Sequence, residues 1–252
     1  MSNITIKDYF NQKNVQSEFM EMLGEKRTKA FLNSVVHVAT GNSILQKASF
    51  ESIFMSAAAA ASLDLSISPS IGHCYIVPYK GNAQFQLGYK GFIQLAQRSG
   101  QYKKINVIEV YENQFQSFNS LTEELTANFN IEGTGKIVGY CAFFSLINGF
   151  EKTVYWSKQK VENHGKKYSK SYGSNVSPWK TDFDAMGKKT VLKNALSKWG
   201  PLSLEMQKAQ IYDQSVVRDY KNDVVEYPDR GTVDDGTVDD LNAVVMDDEI
   251  ID

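Results

Sequence analysis

Apolar residues recur at helical spacing between residues 29 and 62, where Phe31, Leu32, Val35, Val36 and Val38 form one set and Phe50, Ile53, Phe54 and the alanines of 57–61 form another. The pattern predicts two packed helices. Pro69 breaks it, and two short alternating runs follow, Cys74 with Ile76 and Phe85 with Leu87, separated by Lys80, Gly81 and Asn82. This predicts a β-hairpin with a basic tip. Phe92, Leu95 and Ala96 then repeat at helical spacing over residues 89–99, and Gly100 stands where a left-handed C-terminal cap belongs.

Strands are expected over residues 105–111, 125–131 and 136–147, the last joined through Asn148 and Gly149 to a fourth strand over 150–156. Asn-Gly is the preferred dipeptide of a two-residue hairpin turn, because both central positions need positive φ. Ser157 can cap a short helix ending near Gly165, and a polar Ser, Lys, Tyr and Gly loop fills 166–177. Thr181 with Asp184 approximates a capping box, opening a helix to Trp199 ahead of Gly200 and Pro201. One more helix is expected from residue 203 to about 220. The predicted organisation is a partly flexible N-terminal segment (1–28), a core (29–205), a C-terminal helix (206–220) and an acidic tail (221–252).

Composition is that of a folded protein, 42% hydrophobic and 12% aromatic over 252 residues. No apolar run approaches a membrane span and no charged-then-apolar leader opens the chain, so a soluble, cytoplasmic protein is expected. Cys74 and Cys141 lie in apolar alternating stretches without a second metal ligand nearby, which fits buried free thiols in a reducing compartment; a disulfide between them is the minor alternative. The net charge of −2 hides an asymmetry. Residues 213–252 hold 13 acidic and 3 basic side chains, leaving a body of about +8 and a tail of −10. A basic body with an acidic tail is one pattern of nucleic-acid binders. Two Gly-Thr-Val-Asp-Asp repeats at 231–240, dense in carboxylates, read as disorder, since they bury too little apolar surface to offset chain entropy.

Catalytic motifs are scarce. There is no phosphate loop of the G-x-x-x-x-G-K-[ST] type, and Gly88, Gly91 and Gly100 make no dinucleotide fingerprint, so no ATP-driven step is expected. His37, His73 and His164 lack partners at zinc or triad spacing. Glu109 and Glu112 bracket Tyr111 and leave open a magnesium-dependent nuclease.

Basic and aromatic residues concentrate in two regions. Tyr75, Tyr79, Lys80, Tyr89 and Lys90 crowd the hairpin and the following helix start, where backbone N–H groups favour a phosphate. Ten lysines against three acids fill residues 155–200, interleaved with Trp156, Tyr168, Tyr172 and Trp179. Single-strand binding uses that mixture, because cations neutralise phosphates while aromatic faces support bases of any sequence. In the late helix, Ala185, Leu192, Ala195, Leu196 and Trp199 make one stripe while Phe183, Met186 and Val191 lie elsewhere on the wheel, so burial on most sides is expected. Lys188, Lys189 and Lys193 border the apolar stripe, and either DNA phosphate or an internal carboxylate such as Asp182 or Asp184 can supply their counter-charge.

Residues 63–69 (LDLSISP) running into 71–80 (IGHCYIVPYK), 84–100 (QFQLGYKGFIQLAQRSG) and 178–199 (PWKTDFDAMGKKTVLKNALSKW) resemble the RecT family of phage annealing proteins, related in function to the λ Beta protein. The similarity runs from about residue 20 to 205 and is particularly close to RecT proteins of prophages in low-GC Gram-positive bacteria. It implies an α+β fold in which a β-hairpin and antiparallel sheet core packs with helices, followed by a disordered acidic tail. It implies a non-enzymatic protein of homologous recombination that anneals complementary strands without ATP, with possible Mg2+ dependence. The implied partners are single-stranded DNA, the duplex annealing intermediate, further copies of the chain in rings or helical filaments, a phage exonuclease and a host single-strand binding protein. Carried onto matching positions, the implied DNA contacts are Gln86, Tyr89, Lys90, Lys188, Lys189 and Lys193, with Tyr79 and Lys80 as weaker members. Two departures stand out. Gly187 occupies a position where many relatives carry alanine, at about 1 kcal/mol of helix propensity, and Asn194 follows Lys193 where others carry a second basic residue.

Overall fold

The structure, a computed structural model, describes residues 4–169, 171–175 and 177–227. The chain is α+β. It divides into two compact units, one built from residues up to 95 together with 203–227, the other from residues 96–202. The division falls inside a helix, after Leu95.

The first unit opens with helices α1 (Ile6–Phe10), α2 (Lys13–Leu23) and α3 (Glu25–Gly41). The N-terminal segment is largely helical over its described residues. Its apolar positions Ile6, Phe10, Val15, Phe19 and Leu23 are buried, and Phe19 sits among the rings of Phe10, Phe31 and Phe54. Helix α4 (Phe50–Ser62) is buried along Ser52, Ile53, Phe54 and Ser56 to Ala61, with small side chains that let neighbouring backbone approach.

Strands β1 (Cys74–Tyr79) and β2 (Asn82–Leu87) pair antiparallel, with Tyr79 opposite Asn82. Only Lys80 and Gly81 lie between them, both at positive φ (46° and 80°), as a two-residue hairpin turn requires. The turn is fastened to the start of α4. Ser49 N–H donates to the Gly81 carbonyl (3.1 Å), and Ala83 N–H donates to Ser52 Oγ (2.8 Å). Helix α5 (Tyr89–Arg98) follows, and Gly100 takes positive φ (69°) beyond its end, as expected.

The C-terminal part of this unit departs from expectation. The last helix, labelled α9 (Leu204–Tyr212), stops eight residues short of 220, and strands β8 (Val216–Asp219) and β9 (Val224–Glu226) form a hairpin inside the stretch assigned to helix and tail. Backbone bonds between Phe85 and Gln214 (2.9 Å) and between Phe85 and Ser215 (3.0 Å) seat this segment beside β2. The buried Asp213 carboxylate accepts from Leu87 N–H at 2.9 Å. The acidic tail beyond Tyr227, including its repeats, lies outside the described residues.

The second unit is a three-stranded antiparallel sheet in the order β3 (Tyr102–Tyr111), β6 (Ile137–Leu146), β7 (Glu151–Ser157). A short hairpin of β4 (Phe115–Asn119) and β5 (Glu124–Ala127) sets Phe115, Phe118 and Leu125 against Val110, Cys141 and Tyr155. The sequence reading missed β4 and ran β5 too long. Three residues rather than two, Ile147, Asn148 and Gly149, lie between the last hydrogen-bonded pair of the β6–β7 hairpin: Leu146 N–H donates to the Phe150 carbonyl (2.8 Å), Gly149 N–H donates to the Leu146 carbonyl (3.1 Å), and Gly149 alone takes positive φ (89°). The pairing is as expected, but the turn is the bulged kind.

The remaining elements are α6 (Lys158–Tyr168), the short α7 (Pro178–Thr181) and α8 (Phe183–Trp199). Ser157 caps α6 by accepting from Lys160 N–H (3.1 Å). The cap of α8 is Asp182 rather than Thr181, its carboxylate accepting from Ala185 N–H (3.2 Å). Both cysteines are free and buried, and burial pushes the Cys141 thiol up to about 12 and the Cys74 thiol up as well. Among the described residues no helix is long and apolar enough to cross a membrane.

Candidate nucleic-acid interface

In the first unit the basic hairpin tip is outward. Lys80 is exposed, with its ammonium 5.2 Å from the centre of the Tyr79 ring, and Tyr75 on β1 is 37% exposed. Gln86 stands opposite Tyr75 in the β1–β2 register and is half-buried. Residues 88–91 explain why two glycines are needed here. A Cβ at Gly88 would lie 2.3 Å from the Gly72 carbonyl oxygen, and one at Gly91 would lie 2.1 Å from that of His73. Gly88 N–H in turn donates to the His73 carbonyl (2.8 Å). This close approach holds the start of α5 against the loop before β1, which fixes Tyr89, half-buried, and Lys90, exposed, at the first turn of the helix. The structure thus brings Tyr79, Lys80, Gln86, Tyr89 and Lys90 into one hairpin-and-helix module.

The second unit treats its lysines differently. Helix α8 is enclosed along Met186, Gly187, Lys189, Thr190, Val191, Leu192, Ala195 and Leu196, as the scattered apolar positions predicted. Trp199, expected on the apolar stripe, is 39% exposed instead, with the Lys152 and Lys198 ammoniums 4.0 and 5.6 Å from its ring. Lys188 Nζ is 2.6 Å from Glu109 Oε1, both side chains largely covered. An internal counter-charge for Lys188 therefore exists, and it comes from Glu109 on β3. Lys189 is 5% exposed and Lys193 half-buried. Asp184 accepts a 2.5 Å bond from the Tyr140 hydroxyl. Burial, and then this bond, hold the Tyr140 phenol well above the ordinary tyrosine range. Glu109, one of the two carboxylates that suggested a nuclease, is thus occupied by a lysine. Among the described residues no three His, Cys, Asp or Glu side chains are grouped to hold a metal ion.

Four exposed cations of this unit lie on α6, beside others such as Lys103, Lys104, Lys180 and Lys198. Val161 and Gly165 face inward, and a Cβ at Gly165 would meet the rings of Tyr172 and Trp179 at 2.8 and 2.9 Å. Lys158, Lys160, Lys166 and Lys167 are exposed. The sequence placed these residues within its basic region, but the site residues it selected were those of α8. Burial separates the two helices, and its signal in the sequence is the paucity of apolar residues in α6, with Val161 the only aliphatic side chain.

Exposed lysines and tyrosines thus occur on the hairpin-and-helix module of the first unit and on α6 of the second, a mixture of cations and aromatic faces of the kind nucleic-acid-binding surfaces use. The chain belongs to the RecT family, whose sequence model matches residues 29–226, and this associates it with single-strand annealing in DNA recombination. It is 50% identical over 208 residues to "Uncharacterized protein YqaK" of Bacillus subtilis (strain 168), covering 82% of this chain and 71% of that one. It is 30% identical over 161 residues to "Protein RecT" of Escherichia coli (strain K12), covering 60% of this chain and 58% of that one.

Proposed function

We propose that this chain is an ATP-independent single-strand annealing protein that binds one DNA strand by its phosphates, assembles on it as a ring or helical filament, and pairs it with a complementary strand. The observation that carries this reading is the family match over a chain whose exposed cations are interleaved with aromatic rings on both units. Contacts to the backbone carry no sequence code, so base edges stay free to test an incoming strand. Repetition of the site along a filament multiplies weak contacts.

The proposed contacts are Tyr79, Lys80, Gln86, Tyr89 and Lys90 in the first unit and Lys188, Lys189 and Lys193 in the second. Of the latter, Lys188 shares its charge with Glu109, Lys189 is buried and Lys193 is half-buried. An exonuclease that generates single-stranded ends and a host single-strand binding protein are the proposed partners, in the cytoplasm. The deciding experiment mixes two complementary labelled strands with the protein, without nucleotide, with and without magnesium. Duplex formation faster than the protein-free rate supports annealing. Shortened strands in magnesium would instead mark a nuclease, and bound strands that pair more slowly would mark a protector.

A further inference from the structure

The exposed part of α6 carries two stripes of different character. Lys158, Glu162 and Lys166 recur at four-residue spacing on one, and it holds its own counter-charge, with Lys166 Nζ 2.7 Å from Glu162 Oε1. Lys160, His164, Lys167 and Tyr168 recur at intervals of four, seven and eight on the other, and that stripe contains no carboxylate. Along it three rings step from the core to the surface. Trp156 is buried, His164 lies 5.4 Å from it and 4.7 Å from Tyr168, and Tyr168 is 43% exposed. A cation flanks each end of this run, Lys160 4.3 Å from the centre of Trp156 and Lys167 4.9 Å from the centre of Tyr168. Lysines two helical turns apart with an open ring beside one of them suit two phosphates and one base of a flexible strand.

Resting on the function proposed above, we infer that the Lys160–His164–Lys167–Tyr168 stripe of α6 is a strand-binding site for single-stranded nucleic acid. Lys160 and Lys167 meet phosphates, and Tyr168 stacks on one base, leaving that base's pairing edge open. The anchoring of the helix through Val161 and Gly165 keeps the ring fixed before the strand arrives, so little ordering cost falls on binding.

The test uses the full chain, a fluorescent oligothymidylate, and an abasic strand with the same number of phosphates, with affinity measured as a function of salt. Lys160→Gln with Lys167→Gln is expected to reduce the slope of log K against log salt by about 1.4, two single-strand contacts at about 0.7 each. Tyr168→Ala is expected to weaken oligothymidylate binding by about 5- to 150-fold, Tyr168→Phe to bind as the parent does, and neither to alter binding of the abasic strand. Lys158→Gln with Lys166→Gln is the matched control from the other stripe and is expected to change the slope less. Unaltered melting temperatures confirm that these exposed positions are not needed for folding.

An unchanged salt slope in the Lys160/Lys167 variant together with parent-like affinity in Tyr168→Ala overturns the inference while leaving annealing intact. Equal losses from the two stripes, or an equal loss from Tyr168→Ala on abasic strands, also overturn it. Failure of the parent protein to bind oligothymidylate would instead overturn the function on which it rests.

Discussion

Gly187 shows how far a single position can mislead when only the chain is read. By propensity it weakens the helix by about 1 kcal/mol relative to alanine, yet a Cβ there would lie 2.6 Å from two carbons of the Tyr140 ring. Tyr140 is fully buried and held by Asp184, so it has little room to yield. Gly187→Ala is therefore expected to destabilise, the overpacking cost of about 1–3 kcal/mol outweighing the propensity gain; a lower denaturant midpoint with unchanged slope is the measurement, and a rise would refute the packing argument. Lys188 belongs to the same class of position. Lys188→Ala leaves Glu109 largely covered without its cation and is expected to cost about 1–3 kcal/mol even without DNA. The Glu109→Ala, Lys188→Ala pair should lose less than the sum of the single changes. Neither partner could be read from spacing, because Tyr140 and Glu109 reach α8 from strands far off in sequence.

At the scale of elements, what was legible is what repeats. Helices α3, α4, α5 and α8 and the pairs β1–β2 and β6–β7 follow from their apolar periods. The turn types did not. Asn148-Gly149 has the composition of a two-residue turn but sits in a three-residue one, whereas Lys80-Gly81 forms the tight turn because Ser49 and Ser52 of the α4 start bind its flanks. Short strands were the other loss. β4 and β5 cover one end of a sheet with three apolar side chains and expose the rest, so their alternation is too brief to stand out. β8 and β9 were hidden in the same way, and their presence changes where the chain can be cut. Ending it near residue 220 would remove β9 and Tyr227, whose hydroxyl donates to the Ile211 carbonyl (2.6 Å). A chain ending at Tyr227 is expected to melt as the full chain does. One ending at Tyr212 should lose the cooperative transition of the first unit, because the Asp213, Ser215 and Tyr220 attachments go with it. Identical melting of the two would show that the β8–β9 hairpin is dispensable.

For the molecule as a whole, buried phenols set a limit on alkaline stability. Burial raises Tyr102 to about 12, and burial followed by the Glu18 carboxylate raises Tyr220 to about 12, from an ordinary 10.0. Tyr140 and Tyr212 are raised for the same leading reason. A phenol that keeps its proton longer when folded contributes fully below its unfolded value, and that contribution is lost as pH climbs to the folded one. Stability is therefore expected to be flat in this respect up to pH of about 10 and to fall between about 10 and 12, with late phenolate absorbance in the native protein; phenols that all ionise near 10.0 would contradict it. Both units carry such a residue, so both should feel the loss. They differ in how the chain supplies them. Among the described residues the second unit is one continuous stretch, whereas the first joins residues up to 95 with 203–227, and α2 meets the distant C-terminal segment where Glu18 accepts from the Tyr220 hydroxyl (2.6 Å). On the ribosome, the earlier-completed body is thus the inserted one; the hairpin module with Lys80 and Lys90 must wait, with its hydrophobic helices already synthesised, until the last strand emerges.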